Sequence, residues 1–280
     1  MKKEIITSKN NPLVMRLTKL QSKKYRNLEG LFMLDGEKLF KEAVSFGADI
    51  EYVILSEGYY SEKADLVADA IKSIGFEDSC IILVADSVFE KITSEKSPQG
   101  IITVAKTIDF FEKYNKIYNN EKFFAKRRSC VMLCDLRDPG NLGGALRSAC
   151  AFEIDAVYVT EGCTDIFSPK TVRGSMGALF KAPIRCGCDA VTQVREMREC
   201  GVKVYAAALD RNAVSLDKLE IADSDSVCFV IGNEGHGLDI SVIDECDGTV
   251  FIPMAENTES LNATTASSIL MWELFKRKRK

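Results

Sequence analysis

Histidine is almost missing from this chain, with one, His236, in 280 residues. That scarcity argues against a zinc site built on the usual Cys/His ligand spacings, and no metal is expected. A Ser-His-Asp triad would have to use His236, which sits in a Gly-rich turn, and no G-x-S-x-G turn exists to carry the nucleophile. The ten cysteines contain no C-x-x-C pair; Cys130 and Cys134 are four apart, and Cys186 and Cys188 two apart. They read as buried, reduced thiols acting as small hydrophobes. No apolar run approaches the roughly 20 residues that span a bilayer. The N-terminal MKKEIITSKNNP has no apolar stretch of secretory-signal length, and a cytoplasmic location is expected. Both common phosphate cradles, G-x-G-x-x-G and G-x-x-x-x-G-K-[ST], are absent, which disfavours NAD and ATP.

The composition is that of a globular protein, 46% hydrophobic and 28% charged. The length suits two domains of ordinary size. A net charge of −4 conceals an uneven distribution: residues 1–28 carry +7, the tail Lys276–Lys280 carries +5, and the body between carries −16. Basic ends on an acidic body fit a polyanionic partner touched at its edges, although a solvated tail would look the same. The N-terminal charge is interleaved with Leu13, Leu17 and Leu20 at helical spacing. Such a helix packs one face and presents Arg16, Lys19, Lys23 and Lys24 on another, which makes these four the candidate contacts to a polyanion.

Strand and helix patterns alternate along most of the chain. The expectation is a helix over Asn11–Lys24, then Leu31–Leu34 (strand), Glu37–Phe46 (helix), Tyr52–Leu55 (strand), Glu62–Ile74 (helix, stopped by Gly75), Ile81–Val84 (strand), Ser87–Ile92 (helix) and Gly100–Ala105 (strand). Residues 1–107 form a small α/β domain, 108–128 a linker, and 129–280 a second domain. In that second part strands are expected at Val131–Leu133, Ala156–Val159, Val202–Ala207, Val227–Ile231 and Thr249–Ile252. Helices are expected at Leu142–Phe152, Lys170–Met176, Ala190–Cys200, Ile240–Asp244 and Leu261–Phe275. The alternation implies an α/β fold with a mostly parallel sheet, whose ligands sit beyond the carboxyl ends of the strands.

Three stretches fall at such ends: DPGNLGGALRSA (Asp138–Ala149), FVIGNEGHGL (Phe229–Leu238) and FIPMAENTESLNATTASSILMWEL (Phe251–Leu274). Each sets small, turn-forming residues against an apolar run, an arrangement suited to a planar heterocycle without phosphates. Asn141, Arg147, Glu234, Ser260 and Asn262 are the polar groups at these junctions. Singly, Asn141 and Ser260 also read as helix N-caps, Arg147 as a surface cation and Glu234 as a turn residue. Three junctions with one layout suggest convergence.

The ordered stretches DPGNLGGALRSACAF, SPKTVRGSMGALF, FVIGNEGHGL and IPMAENTESLNATTASSILMWE resemble the motifs of the SpoU/TrmH branch of the SPOUT RNA methyltransferases, over Val131–Trp272. The N-terminal KNNPLVMRLTKLQSKKYRNLEGLFMLDGEKLFKEA resembles the small, ribosomal-protein-like substrate-binding domain fused ahead of it in rRNA-directed members. The resemblance implies a parallel-sheet domain with a deep trefoil knot, a homodimer, S-adenosylmethionine as methyl donor and 2′-O-methylation of a ribose in RNA. Ribosomal RNA is the expected substrate, with tRNA and a non-catalytic RNA-binding role as the alternatives.

By family position, Leu209, Gly232, Ile252 and Leu261 hold the cofactor, and Arg147 has the central catalytic role. A guanidinium stays protonated to about pH 12, so a bidentate phosphate clamp that orients the 2′-OH suits it better than a general base. Asn141 and Asn262 would hold the arginine and the ribose. Ser260 and Glu234 would order the loops, with Glu234 near the sulfonium. Two departures from the family pattern stand out. Thr264, Thr265, Ser267 and Ser268 make the last helix unusually polar, and Asn233 replaces a common Ser or Thr, with little consequence expected.

Overall fold

The computed structural model describes residues 4–73, 80–109, 120–255 and 260–279. The expected helix stop at Ile74–Gly75, the middle of the expected linker and Lys280 lie outside them. The chain forms two compact units, Met1–Ile108 with Phe167–Phe180, and Asp109–Ile166 with Lys181–Lys280.

The first unit runs β1 (Ile5–Ile6), α1 (Pro12–Lys19), α2 (Lys23–Glu29), β2 (Leu31–Asp35), α3 (Glu37–Ser45), β3 (Ile50–Ser56), α4 (Glu57–Ser73), β4 (Ile81–Val84), α5 (Asp86–Ile92) and β5 (Ile101–Lys106). Its sheet has the order β1-β4-β3-β5-β2, with β5 antiparallel to both neighbours. The single helix expected over Asn11–Lys24 is two helices. Asn11 caps the first, its Oδ1 accepting the Leu13 N–H at 2.9 Å, with Pro12 in the first turn. The chain then turns at Leu20–Ser22, because Leu20 is drawn into the core and Arg26, only 3% exposed, donates to the Leu20 carbonyl at 2.7 Å. Val14, Leu17 and Leu20 pack with Met33, Ile54 and Phe89.

The second unit runs α6 (Asn120–Phe124), β6 (Ser129–Leu133), α7 (Pro139–Ala151) and β7 (Ala156–Thr160). After the segment that clusters with the first unit, α8 (Pro169–Ser175) and α9 (Ala178–Lys181), it continues β8 (Ile184–Cys188), α10 (Ala190–Glu199), β9 (Lys203–Ala207), β10 (Val214–Ser215), β11 (Val227–Ile231), α11 (Ile240–Glu245), β12 (Gly248–Phe251) and α12 (Ala263–Lys278). The sheet order is β10-β12-β9-β11-β6-β7-β8, and every pairing is parallel. All five residues of β6, β7 and β11 are buried, as strands covered on both faces must be. On one face Cys130, Met132, Tyr158, Val204 and Val230 meet Val194 and Met197 of α10 and Val242 of α11. α7 and α12 pack with each other, and α12 also with β11 and β6. Order reverses at β6, which has β7 on one side and β11 on the other. The crevice at their carboxyl ends is where such sheets bind ligands.

Within α8 and the residues before it, Phe167 packs at a tilt against Phe32 of β2, ring centroids 4.8 Å apart, and Arg173 pairs with Glu95, all inside the first unit. The basic tail is not merely solvated. Arg277 is 8% exposed and donates to the Ala222 carbonyl at 2.7 Å, Lys278 pairs with Asp155 at 2.9 Å, and Lys276 pairs with Glu273. Among the described residues no helix is long and apolar enough to cross a membrane.

All ten cysteines are free. Burial pushes the Cys130, Cys186 and Cys188 thiols up to about 12. A thiol neutral in the fold but ionised in the unfolded chain lowers stability as pH rises above its ordinary value of 9.0. The thiols' contribution should therefore be fully present below pH 9 and be lost between about pH 9 and 12, seen as a falling urea midpoint by circular dichroism. Arg26→Met leaves the Leu20 carbonyl buried and unpaired, and should cost about 2 kcal/mol in urea unfolding.

Candidate active site

The three junctions meet at the carboxyl edge of the second sheet. After β6 the chain reaches Asp138, whose side chain accepts the Asn141 N–H at 3.0 Å, with Pro139 at the start of α7. Asp138 is thus the cap, and Asn141 lies inside the first turn. Its carboxamide is freed for other work, and the Asp-Pro pair was the signal for this. Likewise Asn262, not Ser260, caps α12, its Oδ1 accepting the Thr264 N–H at 2.9 Å.

The Asn141 carboxamide is the hub. Its Nδ2 donates to Glu234 Oε1, and its Oδ1 accepts from Asn262 Nδ2 at 3.0 Å and from Thr264 Oγ1 at 3.1 Å. Residues that follow β6, β11 and β12 are thereby joined in one hydrogen-bonded cluster. The turn carrying Glu234 is tightly built. Asn233 and Gly237 exchange backbone hydrogen bonds at 3.0 and 2.9 Å, and Gly232 packs so closely that a Cβ would lie 2.4 Å from the Gly237 carbonyl. Asn233 matters more than its sequence position suggested. Its Nδ2 donates to the Asp135 carbonyl at 2.9 Å, and its Oδ1 accepts the Gly235 N–H at 2.8 Å, tying the β11 turn to the end of β6. Asp135 itself adopts φ 56°, with its carboxylate taking the Thr160 hydroxyl at 3.0 Å. A non-glycine residue holds that conformation only where its surroundings fix it.

Beside the cluster, at the ends of β9 and β12, lies a cavity of about 180 Å³. Leu209, Ile252 and Leu261, three of the four residues expected to hold the cofactor, line it with Met254 and Val250. Ser260, expected to order a loop, also lines it. Gly232 does not appear in the lining; its role here is the close turn. The wall is apolar, with strand-end backbone at hand and no phosphate-binding loop, which suits an adenine ring and a thioether-like chain. The residues present fit S-adenosylmethionine.

Arg147 stands apart. It is exposed on α7 and, among the described residues, its side chain makes no hydrogen bond or ion pair. Asn141 and Asn262, expected to hold it, bind each other instead. In the first unit, Arg16 is committed to Glu29 through two hydrogen bonds of 2.9 and 2.7 Å, which also raise its pKa. Lys19, Lys23 and Lys24 are exposed, Lys19 and Lys24 lying over the Tyr25 ring at 5.4 and 5.9 Å. Thr264, Asn233 and Asp138 were missed from sequence as site residues.

Comparison with known proteins agrees in both units. The model of the SpoU rRNA Methylase family matches residues 128–272, and that of the MRM3-like substrate binding domain matches residues 11–103. The chain is 30% identical over 269 residues to the 23S rRNA (guanosine(2553)-2′-O)-methyltransferase RlmP of Bacillus subtilis, covering 96% of this chain and 98% of that one. It is 27% identical to the mitochondrial rRNA methyltransferase 3 of Mus musculus, covering 92% of this chain and 70% of the mouse protein. The AdoMet-bound rRNA methyltransferase of Sinorhizobium meliloti superposes with a TM-score of 0.80 at 27% identity, over 100% of this chain and 98% of that one. By the extent of these matches and their agreement with the motif geometry, the chain belongs to the SpoU rRNA methylase family.

Proposed function

We propose that this protein methylates the 2′-hydroxyl of a ribose in ribosomal RNA with S-adenosylmethionine. The observation that carries the reading is the hydrogen-bonded convergence of Asn141, Glu234 and Asn262 beside a cavity walled by Leu209, Ile252 and Leu261. The full-length likeness to RlmP and to the AdoMet-bound structure supports it, and favours rRNA over tRNA and over a non-catalytic role.

When bound, S-adenosylmethionine supplies a methyl group on a cationic sulfonium. Leu209, Ile252 and Leu261 would hold it by apolar contact, and Ser260 offers a hydroxyl at the rim. Glu234 spends one oxygen on Asn141. The other makes no hydrogen bond among the described residues, leaving a carboxylate suited to a neighbouring cation. Arg147, with its five donors unspent, clamps the target phosphate, orients the 2′-hydroxyl and stabilises the negative charge that builds on its oxygen. The proton leaves to water. Residues 1–107 act as the RNA-binding domain, 108–128 as the linker and 129–280 as the methyltransferase domain. Lys19, Lys23 and Lys24 contact the RNA backbone, with Arg16 held back by Glu29.

The same reading includes a cytoplasmic homodimer with a trefoil knot. The return of α12 from the β12 side of the sheet to β11, β6 and α7 supports the threading. Trp272, 47% exposed among Phe152 and Phe275, supports a second copy.

Two substitutions separate the roles. Arg147→Ala should lower kcat about 100-fold or more, while S-adenosylmethionine affinity by calorimetry stays within about twofold, because the cavity is untouched. Leu261→Asn should do the opposite, weakening cofactor binding about tenfold through lost apolar burial with a smaller change in kcat. Methyl transfer is read with tritiated cofactor on rRNA from cells lacking the gene. Full activity of the Arg147 variant would overturn its assigned role.

A further inference from the structure

The polar start of α12 departs from the family pattern, and the proposed chemistry has not used it. Thr264 is its most heavily engaged residue. Its hydroxyl lies 3.1 Å from Asn141 Oδ1 and 3.2 Å from the Asn141 carbonyl. Its methyl group sits where α7 comes closest, 2.6 Å from the position a Cβ on Gly144 would occupy. Helix packing therefore fixes the Thr264 rotamer, and the rotamer aims the hydroxyl at Asn141.

We propose that Thr264 is a positioning residue that holds the Asn141 carboxamide in the place from which it serves Glu234. Donors and acceptors around the carboxamide pair in only one sense. An amide can turn over, exchanging its oxygen and nitrogen. In the observed orientation Oδ1 receives two donors, Asn262 Nδ2 and Thr264 Oγ1, while Nδ2 gives to a carboxylate. Turned over, Nδ2 would face the Asn262 amide donor, and Oδ1 would face the Glu234 carboxylate. Both are repulsive. Asn262 sets that sense, because its own amide is pinned: its Oδ1 accepts the Thr264 N–H at 2.9 Å, so only Nδ2 can face Asn141. Thr264 sets the place of the carboxamide rather than its sense: a hydroxyl donates or accepts, but with its methyl held against Gly144 the oxygen that Asn141 meets cannot move. Ser268 reinforces the site from behind: its hydroxyl donates to the Thr264 carbonyl at 2.7 Å and lies 2.7 Å from Ser148 Oγ of α7. A site held to within a fraction of an ångström depends on such supporting contacts.

The inference rests on the proposed methyl transfer, and its test has a readout that does not. Thr264→Val keeps the methyl against Gly144 and removes the hydroxyl; Thr264→Ser keeps the hydroxyl. T264V should lower kcat about tenfold, with KM for rRNA and cofactor affinity within about twofold, and T264S should stay near the wild-type rate. In an Asn141→Ala background T264V should have no further effect, because its target is gone. Independently of turnover, the Asn141 side-chain amide protons, followed by 15N NMR, should exchange with water at least several-fold faster in T264V than in wild type or T264S. Unchanged exchange and kcat in T264V, or losses that simply multiply in the double variant, would overturn the proposal. If wild-type protein transfers no methyl to rRNA, the functional reading falls, and amide exchange still decides the role of Thr264. Should T264V lose folding by circular dichroism, Thr264→Ala removes the hydroxyl at the cost of a small gap, and the same readouts apply.

Discussion

The second unit depends on how closely α7 and α12 approach each other, and Gly144 sets that distance. A side chain there would run into Thr264. With none, the two helices close along a seam that Asn141, Gly144, Ser148 and Phe152 line at helical spacing on one side and Thr264, Ser268 and Trp272 on the other. The seam is graded. Its end at the sheet's carboxyl edge is amide and hydroxyl, its middle pairs two serines, and its far end is aromatic. The aromatic end supplies burial without specificity, whereas the polar end supplies little energy but fixes atoms in place. The catalytic candidates sit at the end where geometry is set by hydrogen bonds.

Much of this was legible in the sequence, for physical reasons that differ by element. The buried parallel strands were plain because β6, β7 and β11 are continuous apolar runs, as strands covered on both faces must be. β8 was missed because its sequence, Ile184–Cys188, contains Gly187 at φ +78° and bulges against β7, so no alternation survives to be read. The break between α1 and α2 was invisible because its cause, Arg26 reaching back to the Leu20 carbonyl, is a tertiary contact made by a residue that looks like any surface arginine. The placement of α8 with the first unit depends on aromatic and ionic contacts across more than 70 residues of sequence, such as Arg173 with Glu95. Nothing local announces them.

The site shows the same division. Motif order pointed to Asn141, Glu234 and Asn262, and they converge. Leu209, Ile252 and Leu261 were grouped by family position, and they share one cavity. What could not be read was how each polar group is occupied. Asn141 passes its capping duty to Asp138, Asn262 takes the cap expected of Ser260, and Asn233 and Thr264 emerge as supports. The charge pattern is altered too: part of the basic tail is consumed by Asp155 and the Ala222 carbonyl, and Arg16 by Glu29. Lys19, Lys23 and Lys24 in one unit and Arg147 in the other remain exposed.

The Asn141 hub joins residues 93 and 121 positions apart. Such separations have a bearing on time as well as on space. During synthesis the first unit's own strands are complete when β5 emerges, and the basic helices are ready early. The hub stays open until α12 has been made and has docked, since Asn262 and Thr264 arrive last. Long-range parallel pairing is also slow to form. A nascent or partly unfolded chain therefore carries the basic helices without the hub. The hub cannot be complete before the C-terminal helix has docked, so the chemistry proposed for it depends on the part of the chain that is made last.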